Sequence, residues 1–366
     1  MSISETKKPI SESPMQRALK RFRKNRLSMW SFRFLVVVTL VSTVTVSWNP
    51  TVSKLEKWSG RTISLKLPDP TEIHKGDGFR PPSWAESPAQ REGKSPRTYM
   101  LGTDELGRDL LIRLLHGGLI SLLVGFVATI VALAIGVTWG LLAGYIGGAL
   151  DQLMMRFVDI LYARPYMFFV ILLAAVSSDL LGGFEKFAVH HRGWFGWMLK
   201  KVQSTGTLDT SYYLPDWLKT NIMIYVLFIA IGAVSWLTMS RIVRGQVLSL
   251  RQKEFIEAAR ALGVPMWRIL FVHILPNCLG PIIIYSTLTI AVVILEESFL
   301  SFIGLGVQPP FASWGTLAAD GAQGISVYAT RWWLVFFPGL MITSTLMAIN
   351  FVGDGLRDAF DPRLSR

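Results

Sequence analysis

Six long apolar runs are the feature that most constrains what this chain can fold into. Each is close to the roughly 20 residues that a helix needs to cross a bilayer, and lipid admits only helices or closed barrels because every backbone polar group must be paired internally. Only 17% of the residues are charged, compared with about a quarter in soluble domains. We therefore predict an all-α integral membrane protein with six transmembrane helices. The predicted spans are 32–48, 119–145, 158–181, 221–239, 279–303 and 332–352.

The charge distribution around the first run indicates the orientation. Residues 1–31 form a polar tail rich in Lys and Arg. A signal peptide also begins with basic residues, but no small-residue cleavage site follows residues 32–48, so we predict that this helix is retained. A crude count of Lys and Arg on the two sides does not decide the orientation. Long translocated loops count little under the positive-inside rule, however, and the basic tail therefore places both termini, including residues 353–366, in the cytosol.

The predicted loops are unequal in length. Residues 49–116 form an extracytoplasmic loop, in which a helix beginning near Thr103 lies at the membrane surface with its leucines toward lipid. The transmembrane core covers residues 117–352. It contains a second external segment at residues 182–220, which either folds over the external mouth or is a passive elaboration, and a cytosolic loop at residues 240–276.

Small and charged residues mark particular places within the predicted core. Gly136, Gly140 and Gly144 recur at four-residue spacing and predict a stripe against which another helix packs closely. Asp159 and Arg164 lie near a cytosolic helix end. They either form an intramembrane or snorkelling pair or belong to the transport path, and the sequence leaves both readings open.

The cytosolic loop contains two short amphipathic patterns separated by Gly263. The glycine is predicted to end the first helix in a left-handed conformation, Pro265 is predicted to begin the second at its first position, and Pro276 is predicted to close the unit. The result is a helical hairpin, which either docks a partner or only anchors the chain at the lipid headgroups. The apolar stripes, at i, i+3, i+4 and i+7, are Phe255, Ala258, Ala259 and Leu262 in the first helix and Trp267, Leu270, Phe271 and Ile274 in the second.

Several classes of chemistry find no support in the sequence. The net charge of +12 is dispersed between the apolar spans, which argues against a nucleic-acid surface. Cys278 is the single cysteine, so no intrachain disulfide or cysteine metal cluster can form. Residues 92–95 end like a phosphate loop but lack its first glycine and a preceding strand. The pair His190 and His191 has no ligand partner at a suitable spacing. We predict no cofactor, no metal, no nucleic-acid partner and no catalytic group.

Three motifs carry a resemblance to a known family. Residues 257–259 (EAA), with Gly263 after them and residues 274–276 (ILP) at the end, resemble the EAA loop of binding-protein-dependent ABC transporter permeases. Residues 101–109 (LGTDELGRD) and 304–310 (GLGVQPP) are similar to the C-type subunit of the dipeptide, oligopeptide and nickel branch. The resemblance covers the chain from about residue 17 to its end, apart from the two long external loops, and the segment 182–220 departs from it.

The resemblance implies a fold, a set of partners and a site. It implies the type I ABC importer permease fold in a bacterial inner membrane, with a homologous second permease, two separate ATPase subunits and an extracytoplasmic binding protein as partners. In such a complex the hairpin is the helix that couples the permease to the ATPase. The matching coupling residues are Glu257, Ala258, Ala259, Gly263, Ile274, Leu275 and Pro276.

The resemblance leaves the cargo open. Peptides are the expected substrate, nickel or another solute is the alternative, and the side chains that line the path are not identified by sequence. A secondary transporter is the alternative from another class. It would need coupling-ion groups within the bilayer, and Glu296 with Glu297 is the only acidic pair within a predicted span.

Overall fold

The computed structural model describes residues 14–59, 67–87, 95–163, 216–308, 311–324 and 331–360. In these ranges the secondary structure is helical, apart from one isolated bridge between Thr103 and Asp109. The helices are α1 (Pro14–Lys24), α2 (Arg26–Ser59), α3 (Leu110–Ile146), α4 (Gly148–Tyr162), α5 (Asp216–Arg251), α6 (Glu254–Ala261), α7 (Met266–Phe302), α8 (Trp314–Gly324) and α9 (Trp333–Phe360).

Within the described ranges, five helices are long and apolar enough to cross a membrane. They are α2, α3, α5, α7 and α9. Most of the predicted third span, 158–181, lies outside the described residues, as do the histidine pair and residues 182–215. The all-α membrane class is therefore confirmed, and the count of six spans stays a prediction.

The closest helix pair in the bundle is α3 with α5, and the predicted glycine stripe lies in that contact. A Cβ atom added to Gly136 would lie 2.8 Å from the Met239 Cβ atom, and one added to Gly140 would lie 2.6 Å from the Ser240 carbonyl oxygen. Gly144 likewise faces Val247. Only glycine leaves room for backbones this close, so the stripe packs as predicted.

The segment expected to be an interfacial helix has a different structure. Residues 101–109 form a turn rather than a helix beginning near Thr103. Asp109 is the N-cap of α3, accepting a hydrogen bond from the Leu111 backbone N–H at 2.8 Å. The leucines from Leu110 onward therefore belong to the first turns of a 37-residue membrane helix. An Asp at the cap satisfies an orphan N–H of the helix start, which explains why the helix begins there.

The helices on both sides extend into the predicted cytosolic loop. Helix α5 continues to Arg251, so only a short turn separates it from α6. At the other end Pro276 does not close the hairpin, because α7 runs through it without a break. Helix α9 likewise continues to Phe360 and so includes the first residues of the predicted C-terminal tail.

Candidate functional site

The hairpin begins with α6 and turns at Gly263. Gly263 has φ +71°, its N–H donates to the Arg260 carbonyl oxygen at 2.9 Å, and the Val264 N–H donates to the Ala259 carbonyl oxygen at 3.1 Å. These two bonds are the Schellman pattern, which pairs the last carbonyls of a helix and needs a left-handed residue at this position. The predicted conformation of Gly263 is confirmed.

Pro265 follows as the N-cap of α7, one position earlier than predicted, with φ −64° and ψ 147°. The helix then widens into a π-helical segment, Ile269–Ile274, before its regular part, Leu275–Phe302. Pro276 supplies a cause, because it lacks an N–H and its ring would clash with the carbonyl of residue 272 in a regular α-turn. The wider turn lies where the hairpin joins the membrane helix.

The inner face of the hairpin differs from the predicted stripe. Ile256 and Ala259 are buried on α6, whereas Phe255 is 45% exposed and Leu262 83% exposed. In the first turns of α7, up to Leu275, the buried residues are Ile269, Leu270 and Ile274. They form one apolar cluster with the ends of α3 and α5, where the further members include Leu141, Met239, Val243 and Val247. The cluster fixes the hairpin to the bundle.

The outer face of the hairpin is apolar and exposed. Trp267 and Phe271 stack on each other with ring centroids 6.2 Å apart, and they are 58% and 50% exposed. Phe255 and Leu262 are exposed on α6. Exposed aromatic groups at a bundle end, on an element held by its other face, are typical of a protein-docking surface. We call these four residues the outer face.

The coupling residues named from the sequence fall on different sides of the hairpin. Glu257 and Ala258 are exposed on α6, while Ala259 is buried. Ile274 is buried, Leu275 half-buried and Pro276 exposed within α7. The seven coupling residues therefore lie in one hairpin, but only some of them are exposed to a partner, while the buried ones pack the hairpin on the bundle. The sequence analysis did not single out Ile256 and Ile269, which are buried. Each lies next to residues of the predicted stripe, so helical spacing alone does not distinguish it from them.

Arginines at the end of α5 tie this unit to the neighbouring helices. Arg244 makes a two-armed ion pair with Asp151 of α4, at 2.5 and 2.6 Å, and Arg241 pairs with Asp159 at 2.7 Å. Arg251 donates to the Tyr145 carbonyl oxygen at 3.1 Å, at the open end of α3. An arginine that donates to both oxygens of a carboxylate restricts the relative orientation of the two side chains, in addition to the attraction between their charges. The contact of Asp159 with Arg241 was not anticipated from the sequence, and because Arg164 lies outside the described residues, the two readings of Asp159 with Arg164 stay open.

The other motif of the sequence, residues 101–109, forms a hydrogen-bonded turn around Asp104. This carboxylate accepts hydrogen bonds from the backbone N–H groups of Leu106 and Arg108 and from the side chains of Arg108 and Arg113. Arg113 also reaches Asp320 of α8 at 3.4 Å. A cavity of about 610 Å³ lies beside the turn, between it, α8 and the beginning of α9.

The loop before this turn is held by a buried ionic network. Arg80 pairs with Glu86 at 2.7 Å and with Asp77 at 3.3 Å, and hydrogen bonds to Glu86 raise the pKa of Arg80 despite its burial. Burial opposes ionisation of Asp77, but hydrogen bonds from Ser95 and Tyr99 outweigh it, so the pKa of Asp77 lies below its ordinary value. A carboxylate with a depressed pKa stabilises the fold above its unfolded-state pKa, and this contribution is lost as the pH falls through the folded-state value.

Glu297, one of the acidic pair, is buried among hydroxyl groups. It accepts hydrogen bonds from Ser301 at 2.7 Å and from Ser121 of α3 at 3.4 Å. The Ser121 hydroxyl oxygen in turn accepts a hydrogen bond from the backbone N–H of Trp314 at 3.1 Å. Glu297 thus joins α3, α7 and the beginning of α8, and both of its carboxylate oxygens accept hydrogen bonds.

The fold and these contacts define a helical protein with several membrane spans and a hairpin that packs by one face and exposes the other. The chain belongs to the family described as the binding-protein-dependent transport system inner membrane component, which matches residues 136–366. Residues 13–54 match a second family, the N-terminal transmembrane domain of oligopeptide transport permease C. The resemblance stated from the motifs is confirmed.

Named relatives agree with these matches. The chain is 44% identical to an oligopeptide transport system permease protein OppC of Haemophilus influenzae, over 72% of this chain and 70% of that protein. It is 35% identical to the OppC protein of Bacillus subtilis, over 95% of this chain and 90% of that protein. It is 38% identical to a dipeptide transport system permease protein DppC of Bacillus subtilis, over 73% of this chain and 70% of that protein.

Proposed function

We propose that this chain is a permease subunit of an ABC importer and forms half of the path for di- and oligopeptides delivered by an extracytoplasmic binding protein. The names of the relatives support peptides as the cargo. A homologous second permease and two separate ATPase subunits complete the transporter, and both termini of this chain lie in the cytosol. The chain itself carries out no chemistry.

The outer face of the hairpin is the observation that carries this proposal. Phe255, Leu262, Trp267 and Phe271 leave a large apolar area exposed, and Glu257 lies exposed on the same short helix. An ATPase groove would cover the aromatic pair and meet Glu257 with a basic group. Because the inner face is packed on α3 and α5, movement of the docked ATPase would shift those helices and bias the path between inward and outward openings.

Peptide uptake in vesicles that contain the co-expressed transporter tests the function. We expect uptake of a labelled peptide to require ATP inside the vesicles and the binding protein outside. Uptake driven by an ion gradient without ATP would instead support a secondary transporter. ATP-dependent uptake of nickel but not of peptide would leave the transporter class intact and reassign the cargo.

Variants of the outer face test the coupling role. The changes Trp267→Ala and Glu257→Lys are expected to weaken co-purification of the ATPase subunits or to uncouple ATP hydrolysis from uptake, because aromatic groups at interfaces often contribute about 2 kcal/mol or more. Leu153→Ala is the control, since Leu153 is 67% exposed on α4 outside the hairpin. Normal ATPase binding and coupling in both hairpin variants would leave the hairpin as a lipid anchor only.

A further inference from the structure

An apolar groove lies on the side of the bundle where α2 crosses α3, α7 and α9. Its volume is about 370 Å³, within the range of roughly 300–1,000 Å³ for ligand pockets. The residues that line it include Phe32, Val36 and Leu40 of α2, Phe126 of α3 and Val352 of α9. Four of these are well exposed side chains, so the groove is open along its length.

The groove offers no hydrogen-bonding group to an occupant. Thr39 and Thr287 are the polar residues in its lining. The Thr39 hydroxyl donates to the Leu35 carbonyl oxygen at 2.8 Å, and the Thr287 hydroxyl donates to the Ile284 carbonyl oxygen at 2.7 Å. Both hydroxyls are therefore satisfied within their own helices. The surface suits a hydrocarbon chain rather than a polar solute.

One end of the groove meets the basic helix α1. Phe22 of α1 packs edge-to-face on Phe32, with ring centroids 6.3 Å apart, and Phe22 and Val352 belong to one buried cluster. Phe32 and Val352 both line the groove. Phe22 of α1 therefore packs behind this end of the groove, and we call this end, together with the first turns of α2, the lip.

Positive charge is concentrated at this lip. Residues 13–55 contain no Asp or Glu, while Arg17, Arg23, Lys24, Arg26 and Arg33 are exposed. Arg26, Arg33 and Leu40 follow one another at seven-residue spacing, which places them along one side of α2. Arg26 and Arg33 therefore lie on the same side of α2 as Leu40, which lines the groove.

The surroundings agree with an interfacial position for this charge. The Arg33 guanidinium lies 5.6 Å from the ring centroid of Trp30, which is 68% exposed, and tryptophan next to arginine is typical of the headgroup layer. The end of α9 beside α1 carries exposed Asp354 and Asp358. These two acids offset part of the basic charge of α1, so the groups that favour an anionic ligand are Arg26 and Arg33 of α2, which are both exposed.

We propose that this groove and its basic lip bind one anionic phospholipid. An acyl chain lies along Val36 and Leu40, and the phosphate headgroup lies against Arg26 and Arg33. The site is separate from the hairpin, and it does not depend on which solute the transporter carries.

Native mass spectrometry of the full-length chain tests the site. The chain is purified in mild detergent with equal amounts of phosphatidylglycerol and phosphatidylcholine that have the same acyl chains. We expect one retained phosphatidylglycerol per chain, preferred roughly tenfold, a ratio that one or two arginine contacts at a membrane surface supply. Equal retention of the two lipids by the unaltered chain would overturn the proposal.

Two sets of variants separate the headgroup from the acyl chain. Arg26→Gln with Arg33→Gln is expected to remove the preference but to keep some lipid bound, whereas Val36→Trp is expected to fill the groove and to reduce retention of both lipids. Arg156→Gln is the matched control, because Arg156 is an exposed arginine on α4 away from the groove. Leu40→Trp replaces Val36→Trp if the latter fails to elute as a folded chain.

The remaining outcomes are also decisive. If inorganic phosphate at millimolar concentration displaces phosphatidylglycerol, the lip is a free-phosphate site and the lipid proposal is wrong. If the arginine variants and the control behave alike, the preference arises elsewhere and the proposal is wrong. If the groove variant retains as much lipid as the unaltered chain, the acyl chain does not lie in the groove.

Discussion

Gly263 shows how one residue shapes the candidate site. An added Cβ atom would have open space around it, so crowding does not require the glycine. The requirement comes from φ +71°, a conformation that costs a residue with a Cβ atom roughly 1–2 kcal/mol. Residues 254–277 predicted this conformation correctly, because a glycine between two amphipathic patterns is a local signal that tertiary contacts do not alter.

We expect Gly263→Val to misplace the outer face while the chain still inserts in the membrane. A β-branched residue is strained at positive φ, so the Schellman turn opens and the direction of α7 relative to α6 changes. Peptide uptake and ATPase coupling should fall at unchanged protein level. Gly245→Ala is the matched control, because Gly245 is an exposed helical glycine with open space around it. Wild-type uptake in Gly263→Val would refute the argument.

At the scale of the element, the helices begin and end where caps and packing place them. The apolar runs predicted the five long helices of the described residues, and these helices extend beyond the predicted spans, since α3 covers 37 residues and α5 covers 36. Asp109, the last residue of the motif 101–109, sets the start of α3 by capping it. The apolar faces of α6 could not be chosen from periodicity, because both of its faces carry apolar residues and only the packing on α3 and α5 selects Ile256 and Ala259.

The contact between α3 and α5 makes a prediction of its own. Gly140→Ala is expected to destabilise the chain by about 1–3 kcal/mol, since overpacking forces a backbone or side-chain shift and the nearest atom, the Ser240 carbonyl oxygen, belongs to the backbone. Thermal unfolding in detergent, followed by size exclusion, measures the effect. Gly339→Ala on α9 is the control, because Gly339 has open space around it and the change should be neutral or stabilising. Equal unfolding temperatures for the two variants would contradict the prediction, because α3 and α5 would then accommodate the added methyl group without cost.

The orientation of the whole molecule in the membrane is a prediction from the basic charge of its N-terminal tail. The proposed orientation places the turn of residues 101–109 outside and the hairpin inside. Glu105 and Lys253 are both exposed, and the only native cysteine, Cys278, is buried. The chain therefore offers a labelling test with little background.

Cysteines placed at these two positions are expected to react differently. In intact spheroplasts a membrane-impermeant maleimide should label Glu105→Cys, and it should label Lys253→Cys only after the membrane is permeabilised. The unaltered chain, with Cys278 alone, is the control for background. Labelling of Lys253→Cys in intact spheroplasts would reverse the orientation and remove the basis for ATPase docking at the hairpin.

The membrane class, the family and the turn at Gly263 could all be predicted from the sequence. They depend on apolar length, on short motifs and on the conformational freedom of one residue, all of which are properties of neighbouring positions along the chain. The three-dimensional structure was needed to see which hairpin face is buried, that Pro276 lies within a continuous helix, and that Arg244 pairs with Asp151. Contacts between residues as far apart as these two depend on how the helices approach, and no local pattern along the chain encodes that approach.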